Sequence, residues 1–91
     1  MSSVEFVWDA ENTKHLARHK ITPEEAEEAL QLEPLIQEFQ EHPGEERVLC
    51  FGRTAKGRLL TIIYTVRGGA IRVITGYRMP KWQQRLYFEG K

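Results

Sequence analysis

The chain has 91 residues, 41% of them hydrophobic and 29% charged, and a formal net charge of zero. That length builds one small core, so residues 1–91 read as a single domain of ordinary globular composition. The single cysteine, Cys50, excludes a disulfide framework and a Cys-based metal site; with no apolar run near the roughly 20 residues of a membrane span and no signal-peptide pattern, a cytoplasmic protein without membrane attachment is expected.

The zero net charge hides a division. Residues 1–46 carry twelve carboxylates against three Lys/Arg, a net −9, whereas residues 47–91 carry ten Lys/Arg against the single acid Glu89, a net +9. A field is set by local charge, so the second half alone has the charge of a nucleic-acid-binding surface. The acidic half reads as a counterweight, a docking site or a pair of solvated helices.

Val4–Trp8 alternates loosely and reads as a first strand. Asp9 then caps a short helix reaching about Arg18, with Trp8, Asn12, His15, Leu16 and His19 on one face. Thr22-Pro23-Glu24-Glu25 is a capping box with Pro at the first helical position, and Ile21 is placed to staple onto Ala26. The helix it starts ends before Pro34, with Ala26, Ala29 and Leu30 as its buried stripe. From Leu35 the period becomes two. Leu35–Gln40 is a short strand broken at His42-Pro43-Gly44; Arg47–Thr54 and Arg58–Val66 are strands joined by the hairpin signal Ala55-Lys56-Gly57. Arg67-Gly68-Gly69 turns into a last strand, Ala70 to about Arg78. Pro80, at the first helical position, opens a final helix reaching about Phe88. The expected fold is α+β, order β-α-α-β-β-β-β-α, an antiparallel sheet with helices on one face.

Ideal alternation puts Arg72, Ile74, Gly76 and Arg78 on one face of the last strand and Ile71, Val73, Thr75 and Tyr77 on the other. Helices over the Ile71 face would leave an open face of arginines, suited to bidentate phosphate contacts. Lys81 and Arg85 extend it, and Tyr64, Trp82 or Tyr87 offer a ring for base stacking. The other reading of these arginines is a solvated sheet face balancing the glutamates. His15 and His19, four apart on a helix, have the spacing of a metal pair but lack a third ligand at suitable spacing. Asp9 and Glu25 read as caps, Cys50 as core. No Ser/His/Asp signature, phosphate-cradling glycine loop or paired-carboxylate motif is present.

The ordered set Phe6-Val7-Trp8-Asp9, Asn12, His15-Leu16-Ala17-Arg18-His19 and Ile21-Thr22-Pro23-Glu24-Glu25-Ala26 resembles the N-terminal signature of the BrnT toxins. Glu45-Glu46-Arg47, Gly52-Arg53-Thr54-Ala55-Lys56-Gly57-Arg58 and Arg72-Val73-Ile74-Thr75 leading to Arg78-Met79 continue the likeness, which runs from Val4 to Tyr87. The resemblance implies a RelE-like fold and a small bacterial endoribonuclease that needs no metal or other cofactor. It also implies a ribbon-helix-helix antitoxin partner of the BrnA type, with operator DNA reached only through that antitoxin. Carried onto this chain, it implies a catalytic set of Arg53 and Arg78 on phosphate with His19 or Tyr77 in proton transfer, and Arg72 in RNA binding; by their charge Arg58, Lys81 and Arg85 are expected to bind RNA as well. Two departures stand out. Lys20 occupies a place that is usually Gly, and Tyr77 one that is usually Arg, with Arg78 one position later. A relative that has lost catalysis and only binds protein or RNA is the alternative expectation.

Overall fold

The computed structural model of the chain describes residues 4–90. Its elements follow the expected order: β1 (Phe6–Val7), α1 (Ala10–Ala17), α2 (Pro23–Gln31), β2 (Leu35–His42), β3 (Glu45–Arg53), β4 (Leu59–Arg67), β5 (Ala70–Arg78) and α3 (Lys81–Glu89). The five strands form one sheet in the order β1-β5-β4-β3-β2. The three hairpins from β2 to β5 are antiparallel, but β1 pairs with β5 in parallel, through Phe6↔Ile71 and Val7↔Arg72 alone. The sheet is therefore mixed, and the expectation of an antiparallel one is corrected. β1 shrinks to two residues because the chain leaves the sheet at Asp9 to start α1.

Both caps are made as the residue types require. Asp9 accepts from the N–H groups of Glu11 and Asn12, and Thr22 accepts from that of Glu25 while Glu25 returns a bond to the Thr22 N–H. Asn12, buried, completes a second capping box by accepting from the Asp9 N–H, and its amide donates to the Val7 carbonyl at 2.9 Å. Between the two helices Lys20 takes the left-handed conformation, φ +58°, that glycine adopts more readily. This closes α1: the Ile21 N–H bonds the Leu16 carbonyl and the Lys20 N–H that of Ala17, while Leu16 and Ile21 meet in the core. At the last helix Pro80 is the cap residue, one place earlier than expected.

The helices pack on both faces of the sheet, not one. Leu16 of α1, Ile21, and Ala26 and Ala29 of α2 enclose one core with Leu60, Ile62 and Val73. Phe51, Met79 and Tyr87 of α3 form a second, with Leu35, Leu49, Leu59 and Leu86 against it. Phe51, Thr61 and Tyr77 are register partners across β3, β4 and β5, so they share the α3 face. Sequence alone hides this, because β3 and β4 are apolar on both sides and alternation marks only one buried face. Gly52 lets α2 sit close: a Cβ there would fall 1.9 Å from the Ala29 carbonyl oxygen.

β5 carries a bulge. Val73 pairs with Tyr64 and Thr75 with Ile63, leaving Ile74 unmatched. The alternation reverses there. Val73 and Gly76 both turn to α1, where a Cβ on Gly76 would meet Leu16 and Ile62. Arg78, opposite Leu60, follows Gly76, whereas Arg72 lies opposite Thr65 on the other face. The shared face expected for Arg72 and Arg78 is corrected by this one residue.

Candidate functional site

The acidic half pairs with the basic half. Six ion pairs join acids of residues 1–46 to arginines of residues 47–91: Arg47 and Arg67 to Glu45, Arg53 to Glu33, Arg58 to Glu25, and Arg72 to Asp9 and Glu11. The glutamates are thus more than solvated helix faces. Among the described residues the pairing leaves Arg78, Lys81, Arg85 and Lys56 of the basic half without a carboxylate partner. Three of those four lie together, at the end of β5 and along α3.

A cleft opens there, lined by Gly57, Arg58 and Leu59 from the β3–β4 hairpin and by Arg78, Met79, Pro80, Lys81 and Gln84. Arg78 and Lys81 are exposed. No side chain caps α3 at Pro80 and no acid lies in its first turn, so the positive end of its dipole is free to face an anion. Trp82, 66% exposed, stands beside Lys81 and Arg85 on the outer side of α3. Of the three rings available for stacking it is the accessible one, since Tyr87 is fully buried and Tyr64 packs against the α1–α2 core.

His19 and Tyr77 do not line the cleft but adjoin Arg58 and Arg78, which do, and they meet each other with ring centroids 6.4 Å apart and planes tilted by 59°. They come from opposite faces of the sheet. Tyr77 accepts a hydrogen bond from α3, through Gln83 Nε2 at 3.2 Å, while His19 lies in the turn that follows α1. They meet round the edge of β5, which β1 leaves unpaired beyond Arg72. Arg58 fixes the turn that carries His19: its Nη1 donates to the Lys20 carbonyl at 2.7 Å and to Glu25 at 3.0 Å, and its Nη2 to the His19 carbonyl at 3.4 Å. Glu25 stays below the usual carboxylate range, chiefly through its bond from the Thr22 N–H, with Arg58 adding to it against the effect of burial.

The remaining candidates lie elsewhere. Arg53 donates to Glu33 at 2.7 Å and does not line the cleft. Arg72 is held at the far end of β5, with 2.6 Å to Asp9 and 3.2 Å to Glu11, and its side chain is only 13% exposed. It lines a second depression with Glu11, Asn12, His15, Arg47 and Arg67. The bond from Arg72, with that from the Asn12 N–H, holds the Asp9 carboxyl below its ordinary range, and Arg67 and Arg47 do the same for Glu45. His15 and His19 therefore serve different neighbourhoods, and among the described residues no three His, Cys, Asp or Glu side chains are grouped to hold a metal. Burial pushes the Cys50 thiol up to about 11, far from a thiolate at neutral pH. Gln83 and Thr61, which reach Tyr77 from behind, were not among the sequence candidates. An amide and a hydroxyl give no charge pattern, and their meeting depends on where α3 docks.

A family model described as "Ribonuclease toxin, BrnT, of type II toxin-antitoxin system" matches residues 8–81, most of the chain. The matched span takes in His19, Tyr77, Arg78 and Lys81 and stops before Trp82, Gln83 and Arg85. No curated protein matches the chain.

Proposed function

The chain belongs to the BrnT family, ribonuclease toxins of type II toxin–antitoxin systems, and on that premise we propose that it is a metal-independent endoribonuclease working at the cleft between Arg78, Lys81 and the His19–Tyr77 pair. The observation that carries this reading is the cluster of cations left without carboxylates beside two side chains able to move protons. The α+β order, with a four-strand meander between helices, supports a RelE-like fold for it.

In the proposed reaction the 2′-hydroxyl of one nucleotide attacks the adjacent phosphorus. His19 removes the 2′ proton, imidazole being the side chain suited to that near neutral pH. The phosphorus–5′-oxygen bond breaks, and Tyr77 gives its phenolic proton to the departing oxygen. The products are a 2′,3′-cyclic phosphate and a 5′-hydroxyl. Arg78 grips two non-bridging oxygens as charge builds on them, and Lys81 and the open end of α3 add to that field. Trp82 stacks a neighbouring base, with Arg85 on the backbone. Arg58 acts by holding the His19 turn, and Arg72 and Arg53 act by holding the scaffold.

Membership of a type II toxin–antitoxin family implies an antitoxin partner. The partner proposed here is a ribbon-helix-helix protein that covers the basic cleft and itself contacts operator DNA, both partners being cytoplasmic. The test is incubation of the purified chain with RNA in excess EDTA. Expected are fragments with 5′-hydroxyl ends, and their loss when the antitoxin is added. Intact RNA with folded protein would overturn the enzyme reading. Tight antitoxin binding under those conditions would favour the non-catalytic relative, with Tyr77 in place of Arg as the reason.

A further inference from the structure

Five polar side chains are buried in the described chain: Asn12, Thr54, Thr61, Thr65 and Gln83. Three of them serve the backbone. Asn12 completes a cap, Thr54 accepts from the Arg58 N–H at 3.0 Å, and Thr65 donates to the Glu46 carbonyl at 2.8 Å. Thr61 and Gln83 instead bond to each other and then to Tyr77. Thr61 and Tyr77 are register partners on β4 and β5, and the Gln83 amide, from the first turn of α3, spans them. The core around them would be filled as well by an apolar side chain, and burying an amide and a hydroxyl is worthwhile only if every bond is made.

The direction of those bonds matters. The Thr61 hydroxyl donates to Gln83 Oε1, so the amide nitrogen faces Tyr77 and donates to its phenolic oxygen. A phenol has one proton. With an N–H already occupying a lone pair of its oxygen, Tyr77 has no acceptor for its own proton among the described residues, and that proton is left to point away from the Gln83 amide. His19, from the turn after α1, stands 6.4 Å away between ring centroids.

We infer that Gln83 is a positioning residue: seated on Thr61, it holds Tyr77 as a hydrogen-bond donor toward the scissile phosphate. This rests on the proposed ribonuclease reading. It also explains how a tyrosine can serve where a phosphate-gripping arginine is expected. The tyrosine supplies a proton in place of a fixed charge, and only if its hydroxyl is kept from turning inward.

The test is Gln83→Glu, which keeps the shape and the acceptor for Thr61 but replaces the N–H donor with a carboxylate oxygen. Tyr77 then donates inward. At pH 8 kcat for RNA cleavage is expected to fall about 100-fold, as in Tyr77→Phe, with KM within about threefold. The double variant Gln83→Glu/Tyr77→Phe should be no slower than Tyr77→Phe alone. On acidification the rate of Gln83→Glu relative to wild type at the same pH should recover, because a protonated carboxyl again donates to Tyr77. Undiminished kcat in Gln83→Glu, or additive loss in the double variant, would overturn the assignment. An amide of opposite orientation would give the first of these results, having already taken the Tyr77 proton. If the wild type leaves RNA intact, the ribonuclease reading fails, and the Gln83 contact is decided separately by the Tyr77 Cζ resonance in labelled protein. Displacement in both Gln83→Glu and Gln83→Leu supports it; an unmoved resonance overturns it.

Discussion

The two ends of β5 carry the same side chain in opposite states. At the start of the strand Arg72 is gripped by Asp9 and Glu11, in a depression where Arg47 and Arg67 share Glu45. At its end Arg78 is exposed and, among the described residues, has no carboxylate partner, and neither have the cations that follow, Lys81 and Arg85. An arginine that already holds two carboxylates has its fork filled and its charge cancelled. One without them retains both for a phosphate. The positive charge of the second half is therefore a poor guide to where RNA binds until the pairs are subtracted from it.

Substitutions should split along this line. Arg78→Ala is expected to lower cleavage by about 100- to 1,000-fold, the loss typical of removing one preorganised contact to a charged transition state. Its unfolding free energy from urea titration should stay within about 0.5 kcal/mol of wild type, as for an unpaired surface residue. Arg58→Ala should show both effects. Losing its bonds to the Lys20 and His19 carbonyls should destabilise by about 1–2 kcal/mol, and cleavage should fall because the turn bearing His19 loosens. Arg72→Ala should lower the thermal midpoint while cleavage by the folded protein stays within about threefold of wild type; a collapse of cleavage there would erase the distinction between the two ends.

The paired end should also respond to acid. Asp9, Glu45 and Glu25 have folded-state values below their unfolded ones. Their stabilisation is fully present above the unfolded carboxylate range near pH 4 and is lost as pH falls through the depressed folded values. Denaturation curves from pH 6 to pH 2 should show that loss, and Arg72→Ala should flatten the part that belongs to Asp9. The smallest expected change is at Lys20. With φ at +58°, Lys20→Gly should stabilise by a few tenths to about 1 kcal/mol in chemical denaturation, the relief of left-handed strain being partly offset by a freer unfolded chain.

Much of the fold was legible because its signals are local. The Thr22–Glu25 capping box, the Ala55-Lys56-Gly57 and Arg67-Gly68-Gly69 turns and the period-two runs each act within a few residues, and all appear where the pattern puts them. The Asp9–Asn12 box was half legible: Asp9 reads as a cap, but Asn12 in the place usually held by Glu or Gln gives a weaker signal. The parallel pairing of β1 and the second core under α3 were not legible. One joins segments more than sixty positions apart, and the other buries a face of strands whose two sides look alike. The candidate site divides the same way. The basic residues near its centre could be named from sequence, while the separation of Arg72 from Arg78 turns on a single bulged residue at Ile74.

The sequence by itself determined the element order, the caps and the segregation of charge into an acidic and a basic half, because propensity, capping and composition act along the chain. Tertiary structure alone decided which arginines are spent on carboxylates, that His19 meets Tyr77 round an unpaired strand edge, and that Gln83 lies behind that tyrosine. Those outcomes depend on distances between residues far apart in sequence, which are fixed only when the sheet registers and α3 docks.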